Sequence, residues 1–368
     1  MKREIIILAI CLLTFNLAAS ARTIMVEEEK EIIHTFKNTG KDDVLKLSNK
    51  FGNIELCVWD EDKIKVEATI RVKAANSDRA KEILDGITVV AKSEKGAACA
   101  YSVSYRSENS AENCKIESNW VVFVPKELRM LFVINKFGNV NVKKSPHFIN
   151  AKVKFGDFTA GELMHEEGCA VDVAHGNIAI RSVKHALVLL EFGSLKIERA
   201  GYLSLVCRHS TVRVNKSDVL LARSVEHCSI AVDCINNAEI LRLAHSNLNI
   251  GSLSRSLHAS GENKHSNIKI VVRPSNELEN IYINAEFTPV KILLPTDINV
   301  ICRLTAQRGS VSIDESFNCI SDGAGNLDEV DSKKNGFYGI LGRGVEDKKP
   351  AKITVADRFG DIVIDDYE

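Results

Sequence analysis

One phrase, written a dozen times with the same slip in its hydrophobic alternation, constrains this chain more than any other feature. It reads "SNKFGNIELCV" at Ser48–Val58, "LLEFGSLKIERAG" at Leu189–Gly201 and "ADRFGDIVIDD" at Ala356–Asp366. Aligned on the residue before the small one, it recurs at Phe51, Phe137, Phe155, His175, Phe192, His209, His227, His245, His265, Phe287, Arg308 and Phe359. From Phe137 to Arg308 the spacings lie between 17 and 22 residues. Two, four and six residues before each anchor the chain is mostly apolar, as at Leu190, Val188 and Ala186 before Phe192. That is a strand with one buried face. After the anchor the apolar positions are three and five, as at Leu195 and Ile197. Three is odd, so the alternation slips by one, and a straight strand cannot slip while keeping one face inward. The chain must bulge or turn at each anchor.

The residues at the slip suit a corner. The next position is Gly52, Gly138, Gly156, Gly176, Gly193, Ser210, Cys228, Ser246, Ser266, Thr288, Gly309 or Gly360, always small. Glycine there suggests unusual backbone angles. The position after that is Asn, Asp, Ser or Thr except at Pro289, the types that favour turns. Each copy therefore reads strand, tight corner, strand. A repeat of about 18–20 residues with this content predicts an all-β, parallel β-solenoid of ten to twelve coils. By alternation the anchor ring points inward or lies along the corner.

Two long gaps interrupt the repeat. Between Phe51 and Phe137, "KIKVEATIRVKA" alternates as a strand, and "NSDRAKEILDG" reads as one helix with Ser77 as its cap. "ITVVAKS", "CAYSVSYRS" and "KIESNWVVFVP" add strands, so a small antiparallel sheet with its helix is expected to cap the first end. After Arg308, "SDGAGNLDEVDSKKNG" is polar and glycine-rich and reads as a loop. The expected division is a signal peptide over 1–21, a β-rich region with the first repeat, helix and capping sheet over 22–130, solenoid repeats over 131–318, a polar loop over 319–350 and a final strand pair over 351–368.

The first residues carry that leader. Lys2 and Arg3 precede an apolar Ile5–Leu17, and Ala19-Ser20-Ala21 is a small-x-small cleavage site. Ile10 before Cys11 is too large for lipid attachment. No other segment is long and apolar enough for a helical span. The expectation is an exported protein, not integral to the membrane. Of ten cysteines, nine follow the leader, so at least one stays unpaired in a monomer. Cys99 and Cys114 flank "YSVSYRSENSAEN", which reads as a hairpin, and are the best disulfide pair. A net charge of -1 gives no basic face for nucleic acid.

The phrases "LSNKFGNIELCVWDEDKIKVEATI" (Leu47–Ile70), "VVFVPKELRMLFVINKFGNVNV" (Val121–Val142) and "RFGDIVI" (Arg358–Ile364) resemble the putative-adhesin family of bacterial envelope proteins. The versions they are most similar to come from Bacteroidetes-like Gram-negative bacteria. The resemblance implies a right-handed β-solenoid in the periplasm or on the outer surface, with no catalytic residues and no cofactor. It implies a partner that is an envelope protein, a glycan or a host surface. The chain departs from the family by replacing Phe with His in consecutive coils.

That histidine column is the sharpest chemical feature. His209, His227, His245 and His265 occupy one position in four successive coils, with His175 nearby and Cys228 beside His227. They are the candidate metal ligands. Side chains one coil apart start ~4.8 Å apart, whereas zinc needs nitrogens converging at ~2.0–2.1 Å, so a structural ladder of rings is the favoured reading. Buried neutral rings would make acid destabilising. A carbohydrate-active β-helix enzyme is the alternative class. It would need converging carboxylates, but Asp314-Glu315 and Asp328-Glu329 are adjacent pairs whose side chains alternate faces. "YGILGRG" at Tyr338–Gly344 lacks a strand-to-helix context for a phosphate loop. Trp59 and Trp120 read as packing residues.

Overall fold

The computed structural model describes residues 25–37, 43–94, 97–103, 114–273, 277–321, 334–342 and 350–367. The leader and most of the second insertion, with Asp328 and Glu329, lie outside the described residues. The described chain is almost entirely β, in one continuous sheet of 26 strands, with a single helix.

The repeats stack in parallel. The strand before each anchor pairs with its equivalents in neighbouring repeats, and so does the strand after it. Five long strands show this best: β13 (Asn177–Glu191), β14 (Ser194–Arg208), β15 (Thr211–Glu226), β16 (Ser229–Ala244) and β17 (Asn247–Lys264). Each runs from one anchor corner to the next, and β13 to β16 each pair in parallel with their successor on both sides of a bend. Ile178, Leu195, Val212, Ile230, Leu248 and Ile268 fall in line on one side, and Ala186, Leu203, Leu220, Ala238 and Leu257 on the other. All are at most 4% exposed, so the two sides bury one shared core.

Sequence order and spatial order diverge at both ends. The last strands in the chain, β25 (Ala351–Arg358) and β26 (Ile362–Asp366), are not at the edge. They insert between β19 (Asn280–Glu286) with β20 (Val290–Leu294) and β21 (Val300–Gln307) with β22 (Val311–Ile313). Likewise β2 (Val44–Lys50) lies between β6 (Ala97–Val103) and β8 (Met130–Lys136). β3 (Ile54–Trp59) lies between β7 (Lys115–Pro125) and β9 (Val140–Ser145). The returning chain supplies a repeat that pairs on both sides, so neither the first nor the last Phe-Gly repeat presents an open edge.

Antiparallel strands close the ends. β1 (Val26–Lys37) pairs with β4 (Lys63–Ala74), which pairs with β7, and β5 (Thr88–Glu94) pairs with β6. The outermost β1 carries Glu27, Glu28, Glu29 and Glu31, charges that discourage further pairing. At the far end β24 (Lys334–Leu341) pairs antiparallel with β21, inside the stretch expected to be loop. The helix α1 (Ser77–Asp85) packs on β1 and β4 through Ala80, Ile83 and Leu84. Its cap is Asn76 rather than Ser77: the Asn76 side chain accepts from the Arg79 N–H at 2.9 Å.

Residues 104–113 of the expected Cys99–Cys114 hairpin lie outside the described residues. β6 pairs with β2 and β5, whereas β7 pairs with β3 and β4, because the two strands lie on different sides of one repeat. The Cys99 side chain is outside the described residues. Trp120 is 1% exposed, and its Nε1 donates to Ser118 Oγ at 2.9 Å. Trp59 stacks on Phe123 at 5.1 Å.

Candidate functional site: an outward column of stacked rings

The anchors adopt a conformation that the alternation does not announce. All twelve, from Phe51 to Phe359, have positive φ, between 48° and 64° except for 91° at Phe359. The glycines that follow them do not. The anchor itself is the left-handed residue, a conformation that costs L-residues roughly 1–2 kcal/mol. The positive φ turns the anchor side chain away from the core, which corrects the inward reading. Phe137, Phe155, Phe192 and Phe287 are 46%, 51%, 45% and 41% exposed, and the five histidines are exposed too. The premise of buried neutral rings therefore fails.

The glycines serve close approach instead. A Cβ on Gly138 would lie 1.9 Å from Gly52 O, and one on Gly193 would lie 1.8 Å from Gly176 O. Each anchor N–H except that of Arg308 donates to a carbonyl of the neighbouring repeat, as from Phe137 to Lys154 O at 2.8 Å and from His227 to Ala244 O at 3.1 Å. Phe287 donates to Arg358 O and Phe359 to Gln307 O, so the inserted last repeat keeps the ladder intact.

The consequence is one uninterrupted stack of eleven rings. In spatial order they are Phe51, Phe137, Phe155, His175, Phe192, His209, His227, His245, His265, Phe287 and Phe359. Successive centroids are 4.4–5.3 Å apart, with planes within 15° of parallel. At ~4.8 Å per strand the column is roughly 50 Å long. Cations cover its ends: Lys50 Nζ stands 4.5 Å from the Phe51 centroid, and the Arg308 guanidinium 5.3 Å from that of Phe359. Offset parallel rings at this distance attract each other, which offsets part of the backbone cost.

His209, His227, His245 and His265 are thus brought together as expected, with neighbouring planes 3–6° apart. His175 joins the same column, separated from His209 by Phe192. Parallel planes about 5 Å apart keep the in-plane lone pairs of neighbouring rings from meeting at one centre, so the stack as it stands is no tetrahedral site. Cys228 is on the other side of the backbone, 4% exposed, and its Sγ donates to Glu226 O at 3.1 Å. No group of three or more metal-ligating side chains occurs among the described residues.

Beneath the column runs a second ladder that the sequence reading missed. Ser246 Oγ accepts from Cys228 N at 2.9 Å and donates to Ala244 O at 2.7 Å. Ser266 Oγ accepts from Ser246 N, Thr288 Oγ1 from Ser266 N, and Asp357 Oδ2 from Thr288 N at 3.3 Å. Asp357 is 3% exposed, and burial pushes its carboxyl up to about 6. The signal was present: the small position changes from Gly to Ser, Cys or Thr over Ser210–Thr288, beneath His209, His227, His245, His265 and Phe287.

The acids of one hollow are already engaged. A hollow of about 470 Å³ is lined partly by Glu162 and Asp218. Glu162 pairs with Arg181 at 3.0 Å and Lys144 at 3.3 Å, and Asp218 accepts from Asn236 at 3.1 Å. The Asp314 carboxyl caps the Ser316 N–H at 2.8 Å, which holds it below the usual carboxylate range.

No protein-family model matches the chain, and no curated protein does. The chain is remotely similar to solved structures. A "putative adhesin" from Parabacteroides distasonis aligns at 10% identity over 72% of this chain and 97% of that one, with a TM-score of 0.37. A "putative cell adhesion protein" from Clostridium sporogenes aligns at 10% identity over 92% and 100%, with a TM-score of 0.23. A "putative lipid binding protein" from Parabacteroides distasonis aligns at 13% identity over 92% and 96%, with a TM-score of 0.27. Superpositions this loose carry no argument about activity. No described helix is long and apolar enough to cross a membrane.

Proposed function

We propose that the chain is an exported, non-enzymatic β-solenoid of the cell envelope that binds a surface or partner through the ring column along its side. One observation carries this: eleven rings held outward in a positive-φ conformation along the whole stack. Packing gains little from placing a ring at a corner where it is half exposed, and an L-residue there pays a backbone cost. A rigid, repeating face is pre-organised for binding, because little is left to order on contact. Export rests on the basic start, apolar core and small-x-small site of residues 1–21.

The test uses beads coated with the mature protein and whole cells or immobilised envelope glycans. The partner variant replaces anchors at both ends of the column, Phe137→Asn, Phe155→Asn, His227→Asn and His265→Asn, since Asn tolerates positive φ. Adhesion by the parent and its loss in a variant of unchanged melting temperature is the expected result. Equal adhesion by both would sink the ring column as the contact face. Protease digestion on intact cells should match that in lysates; protection until lysis would place the protein in the periplasm. New reducing ends or unsaturated products from polysaccharides would overturn the non-enzymatic reading.

A further inference from the structure

We propose that the Phe51–Phe155 end of the column binds a linear acidic polysaccharide. This rests on the reading of the column as a binding face and names its ligand class. Three repeats share Lys-Phe-Gly and end in Asn, Asn and Asp: Lys50-Phe51-Gly52-Asn53, Lys136-Phe137-Gly138-Asn139 and Lys154-Phe155-Gly156-Asp157. β2, β8 and β10 (Phe148–Lys154) run parallel, with Lys50 opposite Lys136 and Lys136 opposite Lys154. All three lysines are exposed. Like charges directly opposite each other disfavour a sheet.

Elsewhere in this position the column pairs opposite signs. Arg208 meets Glu226 at 3.4 Å, Lys264 meets Glu286 at 3.4 Å and Arg358 meets Glu286 at 3.7 Å. Neighbouring lysines are paired as well, Lys152 with Asp172 at 4.0 Å and Lys143 with Glu55 at 3.1 Å. Lys50, Lys136 and Lys154 form no ion pair with a described carboxylate. The acid nearest along the strip, Asp157, is engaged by the backbone N–H and side-chain amide of Asn177 at 2.8 and 3.1 Å.

The other side of the rings is donor-rich too. Asn53 Oδ1 accepts from Asn139 N, and Asn139 Oδ1 from Asp157 N. Their NH2 ends have no partner among the described residues. The rings present edges, because stacking at 5.1–5.3 Å covers their faces. Aromatic edges are electropositive. Ammonium groups, amide NH2 groups and ring edges all ask for an acceptor, and a charged one.

The geometry selects among polyanions. Covered faces offer no platform for bases, which single-stranded nucleic acid needs. An extended acidic peptide returns to the same face only every second residue, at twice ~3.3–3.4 Å, out of step with lysines carried on strands ~4.8 Å apart. A homopolymeric polyuronate carries one carboxylate per sugar ring, and a sugar ring spans a distance comparable with one strand step.

The experiment measures retention of the mature full chain on immobilised polygalacturonate and dextran sulfate, with neutral dextran as the blank. Phosphatidylglycerol vesicles are run alongside. The strip variant is Lys50→Gln/Lys136→Gln/Lys154→Gln, and the control is Lys196→Gln/Lys216→Gln/Lys269→Gln. Binding to an acidic polymer should weaken with salt and fall about tenfold or more in the strip variant, against about twofold or less in the control. Circular dichroism and melting should match the parent. No retention on either acidic polymer, equal retention of the two variants, or retention by vesicles alone each overturns the assignment. Beads that adhere through the ring column yet keep adhering with the strip variant would overturn the ligand class and leave the column reading standing. Beads that never adhere would remove the column reading itself.

Discussion

The two halves of the ring column solve the same corner differently. In the repeats from Phe51 to Phe192 the small residue is Gly, and the repeats close until a Cβ has no room: Gly138 would put one 1.9 Å from Gly52 O. The carbonyl of Gly52 accepts from Asn135 Nδ2 at 2.9 Å, so a side chain two residues before the anchor supplies the polar partner. At Ser210, Ser246, Ser266 and Thr288 the small residue carries a hydroxyl that accepts the neighbouring N–H and returns a hydrogen bond to its own strand. Anchor φ and ring spacing hardly change between the halves. The corner is thus fixed by the backbone, and the side chains beneath it are alternative ways of satisfying buried polar groups.

The sharpest way to break this comparison is to exchange the small residues. Gly138→Ala forces a methyl into backbone that belongs to two paired strands and cannot rotate away. A loss of about 3 kcal/mol or more is expected, at the top of the overpacking range. Ser246→Ala keeps the volume and removes the relay, leaving the Cys228 N–H buried without its acceptor. The expected loss there is about 1–3 kcal/mol. Urea unfolding of both variants measures the difference. Equal losses would mean that the halves do not differ as described.

Asp357 sharpens the comparison from the other direction. It holds the inward position that Asn49, Asn135 and Asn263 occupy in other repeats, and it is 3% exposed. Burial raises its folded value from 3.8 to about 6, with Glu286 and Asp361 adding smaller contributions. A raised carboxylate binds its proton more tightly when folded. Stability from this group is present at low pH and lost as pH rises from about 4 to about 6, then stays lost. Asp357→Asn keeps an acceptor for Thr288 N–H and removes the charge. It should raise stability by about 2 kcal/mol at pH 8 and little at pH 4. Melting temperatures of the parent and variant across that range check the sign; a variant less stable at pH 8 would show that the carboxylate is used.

Much of this architecture was legible in the sequence, because period and parity are direct consequences of strand geometry. The positions of Leu195, Val212 and Ile230 inside the core follow from counting alone. The ring direction does not. Alternation carries the inward face from Leu190 to Phe192, and only the positive φ at Phe192, which no composition rule announces for Phe, sends the ring outward. The spatial order is also hidden: Phe359 stacks on Phe287 because the chain returns past Arg308, and a repeat count cannot see a return. The partners of β6 and β7 are hidden for the same reason: β6 joins β2 and β5, whereas β7 joins β3 and β4.

The smallest expected effect tests whether the anchors are chosen for backbone or for ring. Phe155 has φ 56° and a ring stacked between Phe137 and His175 at 5.1 and 4.9 Å. Phe155→Val puts a β-branched residue in the left-handed region and removes the stack, so both contributions are lost, about 1–2 kcal/mol for the backbone alone. Phe155→Asn removes the same stack but suits the conformation. If the corner is a backbone device, the Asn variant should lie within about 1 kcal/mol of the parent, with the Val variant clearly below it. If both variants fall equally, stacking rather than φ stabilises the column, and the aromatic character of the anchors would then be explained by folding alone. An Asn variant that melts like the parent leaves the rings free to be kept for what they touch outside the molecule.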